Sequence, residues 1–186
     1  MSLRFESLSR HSAEIEKVKE LFRTSFPKSE QIPLWFLRMK FKQDFVDFFV
    51  FYDDNQFVGF TYLITHQQLT FILYLAIDPS LRSQGYGQKV LAGIKEKYPG
   101  NRIVLNIEAV DESSDNYQQR LKRREFYVRN GYINTGLQLI ERGALYEVLV
   151  DQGEVDLEEY RYLFKKFVGA FLYRFFKPKL YTCKGI

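Results

Sequence analysis

Apolar residues follow two rhythms along this chain, separated by identifiable stops. From Arg4 to Leu8 apolar and polar positions alternate, which predicts a short strand. Ile15, Val18, Leu21 and Phe22 then recur at helical spacing, with Ser12 placed as a cap and Glu14 and Glu16 in the first turn. Pro27 ends that helix, and Pro33 opens a second, short one through Met39. Asp47 to Tyr52 and Gln56 to Thr65 read as strands of a hairpin around Asp53-Asp54-Asn55. Leu69 to Ile77 is almost continuously apolar, which predicts a central strand buried on both faces. Asp78-Pro79 stops it.

The second half continues the alternation of elements. Gly87 to Tyr98 has Val90, Leu91 and Ile94 on one helical face, and Pro99-Gly100-Asn101 breaks it. Arg102 to Val110 predicts a strand, and Asp111 to Asp115 a polar loop. Asn116 to Asn130 predicts a helix closed by Gly131, a residue that tolerates left-handed backbone. Tyr132 to Ile140 and Leu145 to Val150 form a second hairpin around Arg142-Gly143. Asp156, with Glu159 three residues on, starts a final helix. Leu157, Tyr160, Phe164, Phe167, Phe171 and Phe175 carry it as one long aromatic stripe to Pro178. The order predicts a mixed α/β (α+β) domain spanning residues 1–186, with a core over about 4–150 and a helical extension over about 155–177. No internal repeat, low-complexity tract or linker interrupts it.

Composition changes this picture in few places. Phe (18) and Tyr (13) make the expected core aromatic. A formal charge of +4 suits an anionic ligand such as a nucleotide cofactor, and no recognition motif for nucleic acid accompanies it. The lone Cys183 excludes an intramolecular disulfide, and His11 and His66 stand far apart, so no metal site is expected. The N-terminus lacks a signal-peptide apolar run and no stretch reaches the length of a membrane span, which leads us to expect a cytoplasmic protein.

The candidate chemistry lies between Tyr74 and Tyr132. A strand that runs into a glycine turn and a helix start can cradle phosphate, because glycine lets the backbone approach and the first helical N–H groups are free. Gly85-x-Gly87 alone is compatible with an ordinary strand-to-helix connection; it has neither the full dinucleotide fingerprint nor a P-loop lysine. In context, Leu75-Ala76-Ile77-Asp78-Pro79-x-x-Arg82-x-x-Gly85-x-Gly87 resembles the acetyl-CoA-binding segment of the GNAT N-acetyltransferase superfamily, and Phe126-Tyr127-x-x-x-Gly131-Tyr132 resembles that superfamily's downstream catalytic segment.

The resemblance implies a single GNAT-like domain whose central strands, here Leu69 to Ile77 and Arg102 to Val110, splay to admit the pantetheine arm of acetyl-CoA, the acyl-donor co-substrate. It implies that the backbone of Gln84, Gly85, Tyr86, Gly87 and Gln88 binds the pyrophosphate, with Arg82 shaping the turn or adding charge. Leu75 and Ile77 would pair through their backbone with the pantetheine arm. Tyr127 would act as general acid toward the CoA thiolate, since a phenol of pKa near 10 keeps its proton at neutral pH. Without the resemblance, Tyr127 reads first as a core aromatic beside Phe126.

Glu108 is the candidate base for the incoming amine. Strand alternation puts it with Val104 and Asn106, opposite Ile103, Leu105 and Ile107. The alternative is a carboxylate that holds a cationic substrate by charge; Glu30 and Glu112 are weaker candidates. Arg120, Arg123, Arg124 and Tyr127 share a helical stripe that could run toward CoA phosphate or form a solvated basic face. Arg123 stands where the superfamily has a small residue, and Asn116 lies further upstream of the tyrosine than the superfamily's asparagine. For the acceptor, Glu30, Trp35 and Phe36 are candidate contacts, with core packing the competing role for the two aromatics.

The expected activity is transfer of an acetyl group from acetyl-CoA to a primary amine, by direct attack, since no activated Ser or Cys nucleophile is apparent. Two other readings stay open: a non-catalytic acyl-CoA-binding module, and a membrane- or partner-binding protein acting through the aromatic C-terminal helix. A small-molecule or peptide amine is the expected partner, without nucleic acid or a membrane span, and a homodimer is left open.

Overall fold

The structure is a computed structural model and describes residues 3–8, 14–141, 143–169, 173 and 179–182. Its elements are mixed α/β, with eight strands and five α-helices among the described residues. Two compact units divide them: Met1–Thr65 with Ile72–Gly100, and His66–Phe71 with Asn101–Ile186.

β1 (Arg4–Ser7), β2 (Val46–Asp53), β3 (Gln56–His66) and β4 (Leu69–Ile77) follow one another in the sheet in chain order, with β4 belonging to the first unit from Ile72 on. β1 pairs antiparallel with β2, and β2 antiparallel with β3, with a register shift at Phe51/Tyr52. The predicted central strand is real: Leu69 to Ile72 are buried, and burial alternates beyond them. Gly59 of β3 is demanded by its neighbour, because an added methyl would lie 2.1 Å from the Ala76 carbonyl oxygen. Helix α1 (Ile15–Ser25) buries Val18, Leu21 and Phe22, and α2 (Leu34–Lys40) buries Phe36 and Leu37. The expected Ser12 cap lies outside the described residues. The core is aromatic as composition suggested: Phe22 meets Tyr74 edge-on at 4.9 Å, and Tyr62, fully buried, donates its hydroxyl to the Leu37 carbonyl at 3.0 Å. Helix α3 (Tyr86–Lys97) turns Val90, Leu91 and Ile94 inward.

In the second unit the strand order is β5 (Arg102–Glu108), β7 (Ala144–Val150), β6 (Ile133–Glu141), β8 (Lys179–Thr182), all antiparallel. Helix α4 (Tyr117–Arg129) ends as predicted, with Gly131 at φ +84° just beyond it. Helix α5 (Leu157–Val168) is capped by Asp156, whose carboxylate accepts from the Glu158 and Glu159 amides. Glu159 does not return the bond of a capping box; it pairs with Arg102 at 2.5 Å.

The aromatic stripe predicts one helix from Asp156 to about residue 177, and α5 covers its first part, to Val168, where Gly169 takes φ +92° and interrupts it. Beyond the break Tyr173 is helical, its amide donating to the Gly169 carbonyl at 2.9 Å. The rest of the predicted helix lies outside the described residues. Phe171, Phe175, Phe176, Pro178 and Cys183 lie outside the described residues. Strand β8, which the pattern did not announce, pairs Leu180 with Leu139 of β6.

Candidate functional site

The glycine turn belongs to the first unit. After β4, Pro79–Leu81 forms a 3-10 turn capped by Asp78, whose carboxylate accepts from the Ser80 amide at 2.9 Å. Arg82 folds back so that its Nε donates to the Ile77 carbonyl at 3.2 Å, which supports the turn-shaping role. That bond also uses part of the backbone expected to face the pantetheine arm. The Gln84 side chain donates to the Ser80 carbonyl at 3.1 Å. Ser83 (φ +63°) and Gly85 (φ +81°) both take left-handed backbone, and only the second is free of the Cβ penalty. The first bond of α3 runs from the Lys89 amide to the Gly85 carbonyl. Helix geometry therefore leaves the amide hydrogens of Tyr86, Gly87 and Gln88 without an intrahelical acceptor. Tyr86 donates its hydroxyl to Asp53 Oδ2 at 2.8 Å, tying the helix start to the end of β2. An added methyl at Gly85 would meet nothing within 4 Å, so the space over this turn is open. Open amides, aligned with a helix dipole, fit a pyrophosphate.

The proposed acid and base lie in the second unit. Glu108 closes β5, and its side chain is only 12% exposed. It forms an ion pair with Arg120 Nη2 at 3.2 Å and accepts from Arg123 Nη1 at 3.1 Å. Asn116 Nδ2 approaches the same carboxylate at 3.3 and 3.4 Å. Arg120 is held further by Asn116 Oδ1 at 2.7 Å and the Ala109 carbonyl at 3.0 Å. A carboxylate engaged this way accepts a substrate proton only by breaking ion pairs. Its geometry suits an anchor for α4 better than a base.

Two of the stripe's arginines thus turn to Glu108, and a third, Arg124, lies 3.8 Å from Glu147 of β7. Glu147 and the pairing role of Arg120 were missed from sequence. The signal was present, a strand-end carboxylate followed by arginines at helical spacing, but it does not say which strand the arginines face.

Tyr127 is partly buried one turn beyond Arg123. Its ring meets Phe126 at 5.1 Å and Tyr132 at 5.5 Å, both edge-on. Burial pushes its phenol above the ordinary value, while the Arg123 guanidinium pulls it back down. The net direction keeps the proton on oxygen at neutral pH, as an acid requires.

The acceptor candidates separate. Trp35 is 68% exposed, whereas Phe36 is buried and carries Lys40 over its ring at 5.5 Å. The Glu30 backbone carbonyl accepts from the Tyr74 hydroxyl at 2.7 Å. None of the three lines the apolar recess of about 50 Å³ that Leu8, Ile15, Leu34, Leu37 and Phe48 enclose. Among the described residues no cluster of His, Cys, Asp or Glu is placed to hold a metal, and no helix is long and apolar enough to cross a membrane.

Comparison with known proteins gives the class. Residues 44–134 match the family model of the acetyltransferase (GNAT) domain. That span covers the glycine turn and the Phe126-Tyr127 segment. The chain carries a GNAT acetyltransferase domain, a class whose acyl donor is acetyl-CoA. Among solved structures it is similar to an acetyltransferase of the GNAT family from Bacteroides thetaiotaomicron, at 22% identity, covering 95% of this chain and 99% of that one, TM-score 0.69. It is also similar to an aminoglycoside 6'-N-acetyltransferase in complex with coenzyme A, at 14% identity, 82% and 99% coverage, TM-score 0.61. A third is the ribosomal-protein-S18-alanine N-acetyltransferase of Escherichia coli, at 11% identity, 84% and 97% coverage, TM-score 0.61. At these identities the likeness establishes the fold. No curated protein matches the chain.

Proposed function

We propose that the protein transfers the acetyl group of acetyl-CoA to a primary amine by direct attack. The observation that carries this reading is the open amide cradle at Tyr86 to Gln88 behind the left-handed Gly85, within a segment that matches the GNAT domain model. The CoA pyrophosphate would take the amides of Gln84 through Gln88, and the pantetheine arm the backbone of Leu75 and Ile77. Tyr127 would protonate the departing sulfur. Glu108 would act on the protein side, holding Arg120 and Arg123, and the amine would lose its proton through water. Trp35 and Glu30 are offered as acceptor contacts, with Phe36 supporting Trp35, whose ring it meets at 5.8 Å. A cytoplasmic setting follows from the donor, and cell fractionation checks it.

The acceptor class is an amine of small-molecule or peptide type. The similar structures span both kinds by their own descriptions, an aminoglycoside acetyltransferase and a ribosomal-protein one. The deciding experiment is thiol release from acetyl-CoA across an amine panel, with Tyr127→Phe alongside. Wild type should turn over at least one amine, and Tyr127→Phe should lose roughly 10²- to 10⁴-fold in kcat with little change in KM for acetyl-CoA. Tight CoA binding without amine-dependent turnover would replace this reading with that of a binding module. Equal rates for Tyr127→Phe would remove the acid assignment.

A further inference from the structure

Helix α4 has no fully buried side chain, yet it holds a chain of polar contacts aimed at one carboxylate. Glu108 takes one guanidinium on each oxygen, Arg120 on Oε1 and Arg123 on Oε2. Arg120 is fixed from three sides and 16% exposed, so it serves as the inner support. Arg123 is more open, at 35%, and has one bonded oxygen. Tyr127 follows Arg123 by four residues, which places both side chains on one helical face, a turn apart. The guanidinium therefore has a fixed end on Glu108 and a neighbour in the phenol.

We propose that Arg123, fixed by Glu108, is the cationic partner of Tyr127 during proton donation, with Glu108 a positioning residue and not the base. This rests on the reading of Tyr127 as the general acid.

The chemistry balances without further reagents. The amine nitrogen bonds to the acetyl carbon and the C–S bond breaks. Sulfur takes the phenolic proton, leaving Tyr127 as phenolate. The proton shed by the nitrogen returns to the phenolate through water. The phenolate is the costly species in a partly buried site, since burial disfavours its charge. A cation one turn away stabilises that charge and makes the phenol a better donor. Burial pushes the Tyr127 phenol up and Arg123 pulls it down, the direction this role requires of the cation.

The other charged groups around this part of α4 are known. Glu108 comes from β5, Glu147 from β7 with Arg124 at 3.8 Å, and Tyr132 meets Tyr127 edge-on while feeling Asp151. Arg124 is also one turn from Tyr127 but is turned to Glu147 of β7, and Arg123 is the cation that acts on the Tyr127 phenol.

The test uses the whole protein labelled with ¹³Cζ-tyrosine, with the Tyr127 signal assigned by its loss in Tyr127→Phe. Titrated without ligand, Arg123→Gln should raise the Tyr127 midpoint by about one pH unit. Arg123→Lys should recover part of that shift, since it keeps the charge but not the fork. Glu108→Gln should move the midpoint upward by less, through a loosened Arg123. Arg129→Gln, an exposed residue of the same helix, controls for general damage and should leave the midpoint in place. In turnover, Arg123→Gln should lower kcat roughly tenfold while shifting the alkaline limb upward, with KM for acetyl-CoA unchanged. A merely structural role would lower the rate without moving the limb. Intact transfer with an unmoved midpoint in Arg123→Gln overturns the partnership alone. An unmoved midpoint in Glu108→Gln overturns the positioning role. Absence of acetyl transfer by wild type overturns the function and this role together.

Discussion

Helices α3 and α4 are each assigned part of the chemistry, and they are attached to the protein by opposite means. α3 buries Val90, Leu91 and Ile94, so burial of apolar surface fixes it, and its backbone amides are left to serve a ligand. α4 has no fully buried side chain; beyond the partly buried Tyr127 against Tyr132, it is attached through Arg120, Arg123 and Arg124 to Glu108 and Glu147. A site built from backbone can rest on a hydrophobic helix, because its ligand needs geometry and a dipole. A site built from a phenol and a guanidinium needs charges nearby, and the same charges can do the attaching. The difference predicts that α3 is insensitive to salt and α4 is not, since partly exposed ion pairs are screened.

The largest way to challenge the comparison is Leu91→Ala. It should cost about 2–5 kcal/mol of stability by urea denaturation, nearly independent of salt, as cavity formation does. A loss below about 1 kcal/mol would mean that burial does not hold α3. Next, Gly85→Val should weaken CoA binding by roughly tenfold or more in calorimetry, because a β-branched residue at φ +81° is strained and the loop would relax away. Affinity equal to wild type would show that the backbone cradle is not the donor site. Smallest is Glu108→Gln, which should cost about 1–2 kcal/mol, discounted for exposure of Arg123. Amide exchange in α4 should quicken in that variant, and in wild type at high salt, while α3 stays protected. Equal protection of both helices under high salt would erase the distinction.

The two helices also differ in how far sequence discloses them. α3 was legible almost to the residue, because its apolar spacing, the preceding Gly85 and the Pro99 stop are all local. The same holds for Gly131 behind α4 and for the hairpins through Asp54 and Gly143. The identity of the GNAT domain was legible from two short segments for the same reason. The partners of α4 were not, since Glu108 and Arg123 stand fifteen positions apart and their meeting depends on tertiary packing. Sequence therefore offered Glu108 as a base or as an anchor for a cationic substrate, and its ion pairs with Arg120 and Arg123 were not visible in it. Phe36 and Trp35 illustrate the same limit: adjacent aromatics share a composition, and only the fold tells which is covered. The C-terminal stripe shows another limit. Its spacing is regular, but Gly169 interrupts the helix by backbone conformation, which apolar periodicity does not encode.

Gly59 gives the donor half of the proposed mechanism an unexpected vulnerability. Its missing side chain lets Ala76 come close, and Ala76 sits between Leu75 and Ile77, the two residues offered to the pantetheine arm. A single methyl there, remote in sequence from every group assigned a chemical task, would press on the strand that carries them. In a library of random variants such a position would score as intolerant, and it would be mistaken for a participant in the reaction. It acts instead as a spacer of zero length, and its contribution is room.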